Sequence, residues 1–582
     1  MKLNNLLKDV YTGVVNSLRR FPIAIGLSTS CVVMLIIISE LQQRGITTSI
    51  EELTRITMII ALGIPLSLCI KLIFERKDVN KKGFLIISYS LSILFLVLYY
   101  YFLLKNFKMV PVTRYIGLNL VFYLAFLFIP YIKKENNFEL YVLRIFTRFF
   151  TTIIYSVVLF AGLAAILFTI DKLLGVRVPS DFYYYTWLIV AGMFAPTFFL
   201  AGIPFKNEEF SLIDYPKLFK VLVLYIIMPL LTVYTLILYI YFAKIIVTRE
   251  WPKGLVSHLV LWYSVITSMV LFFISPILNE KAWPRRFMEF FPKMLLPLIT
   301  MMFISIGIRI RQYGVTENRY FVVALGIWVF FVMLYYSFNK KLRNIVLPVS
   351  LSIIMFLSVV GPISSYSISK YSQNVRLQRI LNKNDMVRDK KIIPNKNIST
   401  EDKRQIIAIL SYFDKNHSLN DVKYLPKNFK MENMEEIFGF KYEAYDYNNN
   451  MEYFFFAAKQ NEMVLDIRDY DYLVDPRFSD KMDTDVGQLK IDFNRYNNVI
   501  KITQNGNEVY SKNLNEFVEV LLSKYGTNNL NKEILSKDLS FEEETNKVKI
   551  KFQFNNISGQ KDLSTGKAEV KGAEFYFLVK IK

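Results

Sequence analysis

Cysteine and histidine are almost absent from this 582-residue sequence. The two cysteines, Cys31 and Cys69, both lie inside apolar runs, so the polar last third carries no disulfide framework and no thiolate metal site. Two histidines, His258 and His417, are too few for a His-rich metal centre. Motifs whose spacing enforces chemistry are also missing. There is no Gly-rich phosphate loop followed by Lys-Ser/Thr, no His-Glu-x-x-His, no Cys-x-x-Cys and no Gly-x-Ser-x-Gly. The residues therefore nominate no catalytic group, no metal and no cofactor, and an enzyme is not the expected reading.

Apolar residues are abundant instead. They make up 53% of the chain, and aromatics 16%. The net charge of +21 invites a nucleic-acid partner, but its distribution argues otherwise. From Ser367 onward there are 34 Lys+Arg and 32 Asp+Glu, so nearly all the excess falls in short loops between the long apolar runs before that point. Membrane orientation requires that placement, and nucleic acid is not an expected partner.

A hydrocarbon core of about 30 Å needs roughly 20 apolar residues in helical form. Runs of this kind occur near 21–41, 56–75, 83–104, 115–132, 149–170, 183–203, 221–243, 255–278, 294–310, 320–338 and 345–366. The predicted fold is a membrane all-α helical bundle of about eleven transmembrane helices with a C-terminal soluble α+β domain. Alternate loops carry 22 and 13 basic residues, the larger set on the side of the N-terminus. Lys/Arg excess marks the cytoplasmic side, so the expected topology is a multi-pass plasma-membrane protein with N-terminus inside and C-terminal domain outside. Residues 1–20 place Leu3, Leu6, Leu7, Val10, Val14 and Leu18 at helical spacing among basic positions, the pattern of an interfacial helix. A helical start to the first span is the plainer alternative.

The expected organisation is an interfacial helix at 1–20, a transmembrane domain at 21–366, a connector at 367–397 and a soluble domain at 398–582. In the last, Ser399-Thr-Glu-Asp402 precedes the apolar-periodic run Ile406–Phe413, a capped helix. Asn505-Gly506 lies between two short strand patterns, a hairpin. Leu514–Tyr525 has helical period, while Lys547–Phe554 and Phe575–Ile581 read as strands. Seven aspartates between Asp466 and Asp485 lack the order of a calcium loop and read as a solvated acidic segment.

Among the apolar runs, His258 near a span end reads as an interfacial histidine rather than a proton relay. Pro65, Pro196, Pro229, Pro276, Pro297 and Pro348 fall within spans, where they either bend ordinary helices or build broken ones. Two outer loops are dense in functional groups. One is Arg249-Glu-Trp-Pro-Lys-Gly254, the other Arg309-Ile-Arg-Gln-Tyr-Gly-Val-Thr-Glu-Asn-Arg319. Arginine presents paired donors to phosphate, so Lys253, Arg309, Arg311 and Arg319 are the candidate site for an anionic lipid or lipid-linked phosphate. Interfacial anchoring with local Glu317–Arg pairs is the competing reading.

The stretches Tyr241–Gly254 (YFAKIIVTREWPKG) and Gly307–Val322 (GIRIRQYGVTENRYFV) resemble signature segments of a bacterial multi-pass membrane protein family, the domain of unknown function 4153. Ala282-Trp-Pro-Arg-Arg286, Gly361-Pro-Ile-Ser364 and Gln405–Asp414 fit the same resemblance. It implies architecture and a bacterial setting, and supplies no catalytic residues. Three functions are compatible with these readings. An envelope factor that binds or moves an amphipathic or lipid-linked substrate is slightly favoured, because eleven spans exceed what anchoring needs. A membrane-anchored sensory or binding module and a membrane-embedded enzyme are the alternatives.

Overall fold

The computed structural model describes residues 12–582 except 47–48, 78–81, 133–136, 206–207, 249–254, 279, 281, 340, 443–450, 460–466, 477–480, 487, 495–497, 527–531 and 563–565. The chain divides into two compact units. The first comprises Met1–Arg379 and Phe413–Lys423, the second Ile380–Tyr412 and Tyr424–Lys582.

The first unit is helical. Among the described residues, ten helices are long and apolar enough to cross a membrane: α1 (Pro22–Gln43), α2 (Ile50–Lys77), α3 (Gly83–Phe102), α4 (Met109–Tyr131), α5 (Phe138–Leu173), α6 (Ser180–Ala201), α7 (Lys217–Thr248), α8 (Ser257–Ile277), α9 (Ala282–Tyr313) and α10 (Glu317–Phe338). The eleventh expected run forms α11 (Val346–Val359), of 14 residues. At 1.5 Å per residue it is about 21 Å long, shorter than an ordinary span. The apolar pattern continues past its end, but Val360 turns extended and Gly361 takes φ 89°, which breaks the helix before Pro362. A further helix, α12 (Ser365–Lys383), follows.

Of the interfacial helix expected at 1–20, the first eleven residues lie outside the described ones, and residues 12–20 are helical. The end of this segment faces the bundle. The buried Ser17 hydroxyl donates to Thr197 O, and Arg20 forms a two-point pair with Glu75 while donating to Ile203 O and Pro204 O.

Polar contacts between helix ends fall into two sets. At one end of the bundle Arg20 meets Glu75, Asn137 meets Phe210 O, and Asn344 meets Glu139 and Ser275. At the other, Tyr185 donates to Glu40, Arg55 to Leu104 O, Arg114 to Val359 O and Tyr320 to Ile363 O. Successive connections therefore alternate between two polar rims, as in an up-and-down bundle. The most apolar windows of α3 and α5 are 6% buried, whereas that of α8 is 67% buried. α3 and α5 thus expose apolar faces of the kind that lipid covers, and α8 is the core helix. Ser264, Thr267 and Ser268 on α8 are buried and return their hydroxyls to carbonyls one turn back, so this core is closely packed.

Proline does not break the spans: α2 continues through Pro65, and α9 through Pro292 and Pro297. Pro196 in α6 has no N–H for Gly192 O, and a π-helical turn occupies Val190–Phe194. The freed carbonyl is taken by Ser28 of α1, whose hydroxyl lies 2.6 Å from Gly192 O. A Cβ at Gly192 would lie 2.3 Å from Val32 Cγ2, so this approach needs glycine. A second π-turn, Leu222–Ile227, precedes Pro229 in α7.

The second unit is α+β. Its first residues form a short antiparallel hairpin, β1 (Val387–Arg388) with β2 (Lys391–Ile392). Helix α13 (Thr400–Asn416) starts where expected, with Ser399 Oγ accepting from Asp402 N at 3.1 Å. The short α14 (Met434–Phe438) precedes two sheets. The larger has the order β4 (Tyr472–Val474), β12 (Ala568–Ile581), β11 (Val548–Asp562), β3 (Met451–Ala458), β9 (Lys532–Ile534), with β10 (Ser540–Glu544) also on β11. The smaller is a meander of β5 (Lys481–Val486), β6 (Leu489–Asn494), β7 (Val499–Gln504) and β8 (Asn507–Asn513). Asn505 (φ 52°) and Gly506 (φ 80°) make the expected tight turn between β7 and β8. Phe493 of the meander meets Phe575 of β12 at 5.5 Å, and α15 (Leu514–Tyr525) adds Leu514, Val518 and Leu521 to the same core.

Candidate functional site

The chain between α9 and α10 turns sharply at Gly314, which takes φ 70°. Helix α10 then starts after Thr316, placing Glu317 in its first turn, where the helix dipole favours a negative charge. Glu317 is nevertheless 5% exposed, an unusual burial for a carboxylate. Its partner is His417, whose Nε2 lies 2.7 Å from Glu317 Oε1. Both side chains are almost completely withdrawn from solvent.

His417 belongs to the short segment 413–423 that returns to the helical unit. Its ring centroid stands 6.0 Å from that of Phe413, and its carbonyl accepts from Lys108 Nζ at 3.3 Å. Helix α12 holds the rest of the segment. Lys370 Nζ is 3.1 Å from Asp421 Oδ1, Asn374 Nδ2 donates to Asp421 O, and Lys423 N donates to Asn374 Oδ1 at 2.8 Å. The same helix organises the α9–α10 turn. Val315 N donates to Ser372 Oγ, and the buried Gln373 amide donates to Tyr313 O and Val315 O, both at 3.0 Å. Residues from four separate stretches of chain thus converge on one rim. Chemically, a buried carboxylate hydrogen-bonded to an imidazole fixes two segments together and can pass a proton between two groups.

The four arginine and lysine candidates are placed differently. Lys253, with all of 249–254, lies outside the described residues. Arg319 is committed locally: its Nη1 donates to Gly314 O at 2.8 Å and Tyr313 O at 3.3 Å, and its guanidinium stands 5.5 Å from the centre of the Tyr313 ring. Arg309 is half-buried and Arg311 exposed in the last turns of α9. Two positions apart on a helix, they project in directions roughly 160° apart. His258 is exposed on α8. In the acidic segment, Asp466 and Asp480 lie outside the described residues, while Asp471 Oδ2 accepts from Ile581 N at 2.8 Å. Sequence reasoning singled out neither the Glu317–His417 pair nor Gln373. Their signals are a lone histidine after an amphipathic helix and a polar helix after the last apolar run.

Comparison with known proteins places the chain among relatives without a described activity. A protein of Pasteurella multocida (strain Pm70), described as uncharacterized protein PM1469, is 23% identical over 444 residues, covering 73% of this chain and 74% of its own length. No solved structure matches. The family described as "Domain of unknown function (DUF4153)" matches residues 26–386, a stretch that runs from within α1 through all the apolar helices and α12. With ten apolar helices of spanning length among the described residues, the chain has the build of a multi-pass membrane protein, and it belongs to the domain of unknown function 4153 family.

Proposed function

We propose that this protein is a membrane-embedded binding and sensory module of the bacterial envelope. Its helical block receives an anionic amphipath or lipid-linked phosphate at the rim carrying Arg309 and Arg311. The segment 413–423 relays the bound state to the C-terminal domain. The observation that carries the reading is the buried Glu317–His417 pair, which ties a segment flanked on both sides by C-terminal-unit chain to the rim next to those arginines. The close packing of α8 gives the alternative of a substrate-moving pathway less support. The 22-to-13 distribution of basic residues supports a cytoplasmic N-terminal rim, which would place the Glu317 rim and the C-terminal domain outside.

Hydrogen exchange on the full-length protein in nanodiscs tests this reading. Phosphatidylglycerol should slow exchange at 413–423 and in the C-terminal unit relative to phosphatidylcholine. The Arg309→Gln/Arg311→Gln variant should lose the difference and retain less copurifying anionic lipid. Identical exchange in both lipids would sink the proposal.

A further inference from the structure

The opposite rim holds a cleft of about 380 Å³ with a polar floor and apolar walls. Glu139, Asn344 and Ser275 form the floor, and Leu212, Leu278 and Leu342 are among the walls. The floor is built from three parts of the chain. Asn344, 1% exposed, donates through Nδ2 to Glu139 Oε1 at 2.6 Å and to Ser275 Oγ at 2.8 Å. Its Oδ1 accepts from the buried Tyr336 hydroxyl at 2.9 Å. The amide is therefore saturated, and it orients the carboxylate rather than neutralising it.

Glu139 lies on a rim rich in lysine and arginine, yet among the described residues none of them pairs with it. Lys220 of the same rim pairs with Glu280 instead. Glu139 sits in the first turn of α5, where the helix N-terminus favours its negative charge. A half-buried carboxylate opening on a cleft, held by an amide and a hydroxyl, offers acceptor oxygens to a cation that comes from outside the chain. The apolar walls suit the carbon skeleton attached to that cation, and the rim location suits a ligand at the membrane surface.

We propose that this cleft binds a primary ammonium group, with Glu139 as counter-ion and Ser275 as a second polar contact. The chemistry is shared by the headgroup of an aminophospholipid and by a small soluble amine. The inference is independent of the anionic site proposed at the other rim.

The test is thermal unfolding of the full-length protein in nanodiscs of phosphatidylglycerol alone or with phosphatidylethanolamine, together with native mass spectrometry of bound lipid. Phosphatidylethanolamine should raise Tm by about 2–4 °C or more and give a retained-lipid peak. Glu139→Gln should abolish both effects. Leu212→Trp narrows the cleft without touching its floor, and should abolish them even if Glu139→Gln fails to fold. The same rise from ethanolamine in phosphatidylglycerol discs would support the site and identify a soluble amine as its ligand. Equal responses of wild type and both variants to both additives, or no response in wild type, would overturn it.

Discussion

Glu317 and His417 stand 100 residues apart in sequence and 2.7 Å apart in space, both buried. Removing one member of a buried pair leaves the other desolvated without its partner, a loss of roughly 3–5 kcal/mol. His417→Ala should therefore lower thermal stability strongly and expose 413–423 to protease. A Glu317→Gln/His417→Gln double variant, which keeps polar contact without charge, should lose less than the two single changes added together. Additivity within about 0.5 kcal/mol would show that the two side chains do not depend on each other.

The packing of α11 on α4 depends on Gly117. A Cβ there would lie 2.6 Å from Val359 Cγ1 and 2.9 Å from Met355 Cε; the methionine methyl can swing aside, but the stiff valine must shift. Gly117→Ala should cost roughly 1–3 kcal/mol through overpacking. Adding Val359→Ala should recover part of that loss, as measured by the midpoint of unfolding in detergent. A second substitution that only deepens the loss would place the strain elsewhere.

Asp402 predicts an acid-sensitive helix start. Burial works against its ionised form, but hydrogen bonds from Lys383, Asn384 and Ser399 outweigh this and hold its carboxyl below the usual carboxylate range. A depressed folded-state pKa contributes stability that is present above the unfolded value of about 3.9 and is lost as pH falls through the folded one. Protection from hydrogen exchange at the start of α13, taken relative to the intrinsic rate at each pH, should fall below about pH 4 in the wild type. Asp402→Asn should exchange faster at neutral pH and show little further acid response in that window.

Ser523 is exposed near the end of α15, whereas Cys69 is buried and Cys31 half-buried within spans. In a Ser523→Cys variant, a membrane-impermeant maleimide should label intact cells as well as lysed ones. Labelling confined to lysed cells would put the C-terminal domain in the cytoplasm and reverse the topology proposed above.

The long helices were legible because about 20 apolar residues encode a span locally, whatever packs beside it. The β7–β8 hairpin was legible for the same reason: Asn505 and Gly506 tolerate the positive φ that the turn demands. The length of α11 was not, since Val360 continues the apolar pattern and the backbone reversal at Gly361 leaves hydropathy unchanged. The site was read in part. Composition grouped Arg309, Arg311 and Arg319, but helical phase parts the first two and Arg319 is taken up by the carbonyls of its own loop. The position of His417 after an amphipathic helix marked it out, but nothing local named its partner, which lies 100 residues earlier in the chain.

The helices that share this bundle differ widely in length. Helix α5 has 36 residues, roughly 54 Å by helical rise, against about 21 Å for α11. A bilayer wetting both must thin on one flank, or the longer rod must lean or protrude. Either adjustment stores elastic energy in the surrounding lipid, and that energy changes with acyl-chain length. Were lipid to cover both, membrane thickness would become a variable felt at the Val346–Val359 flank and the rim beyond it.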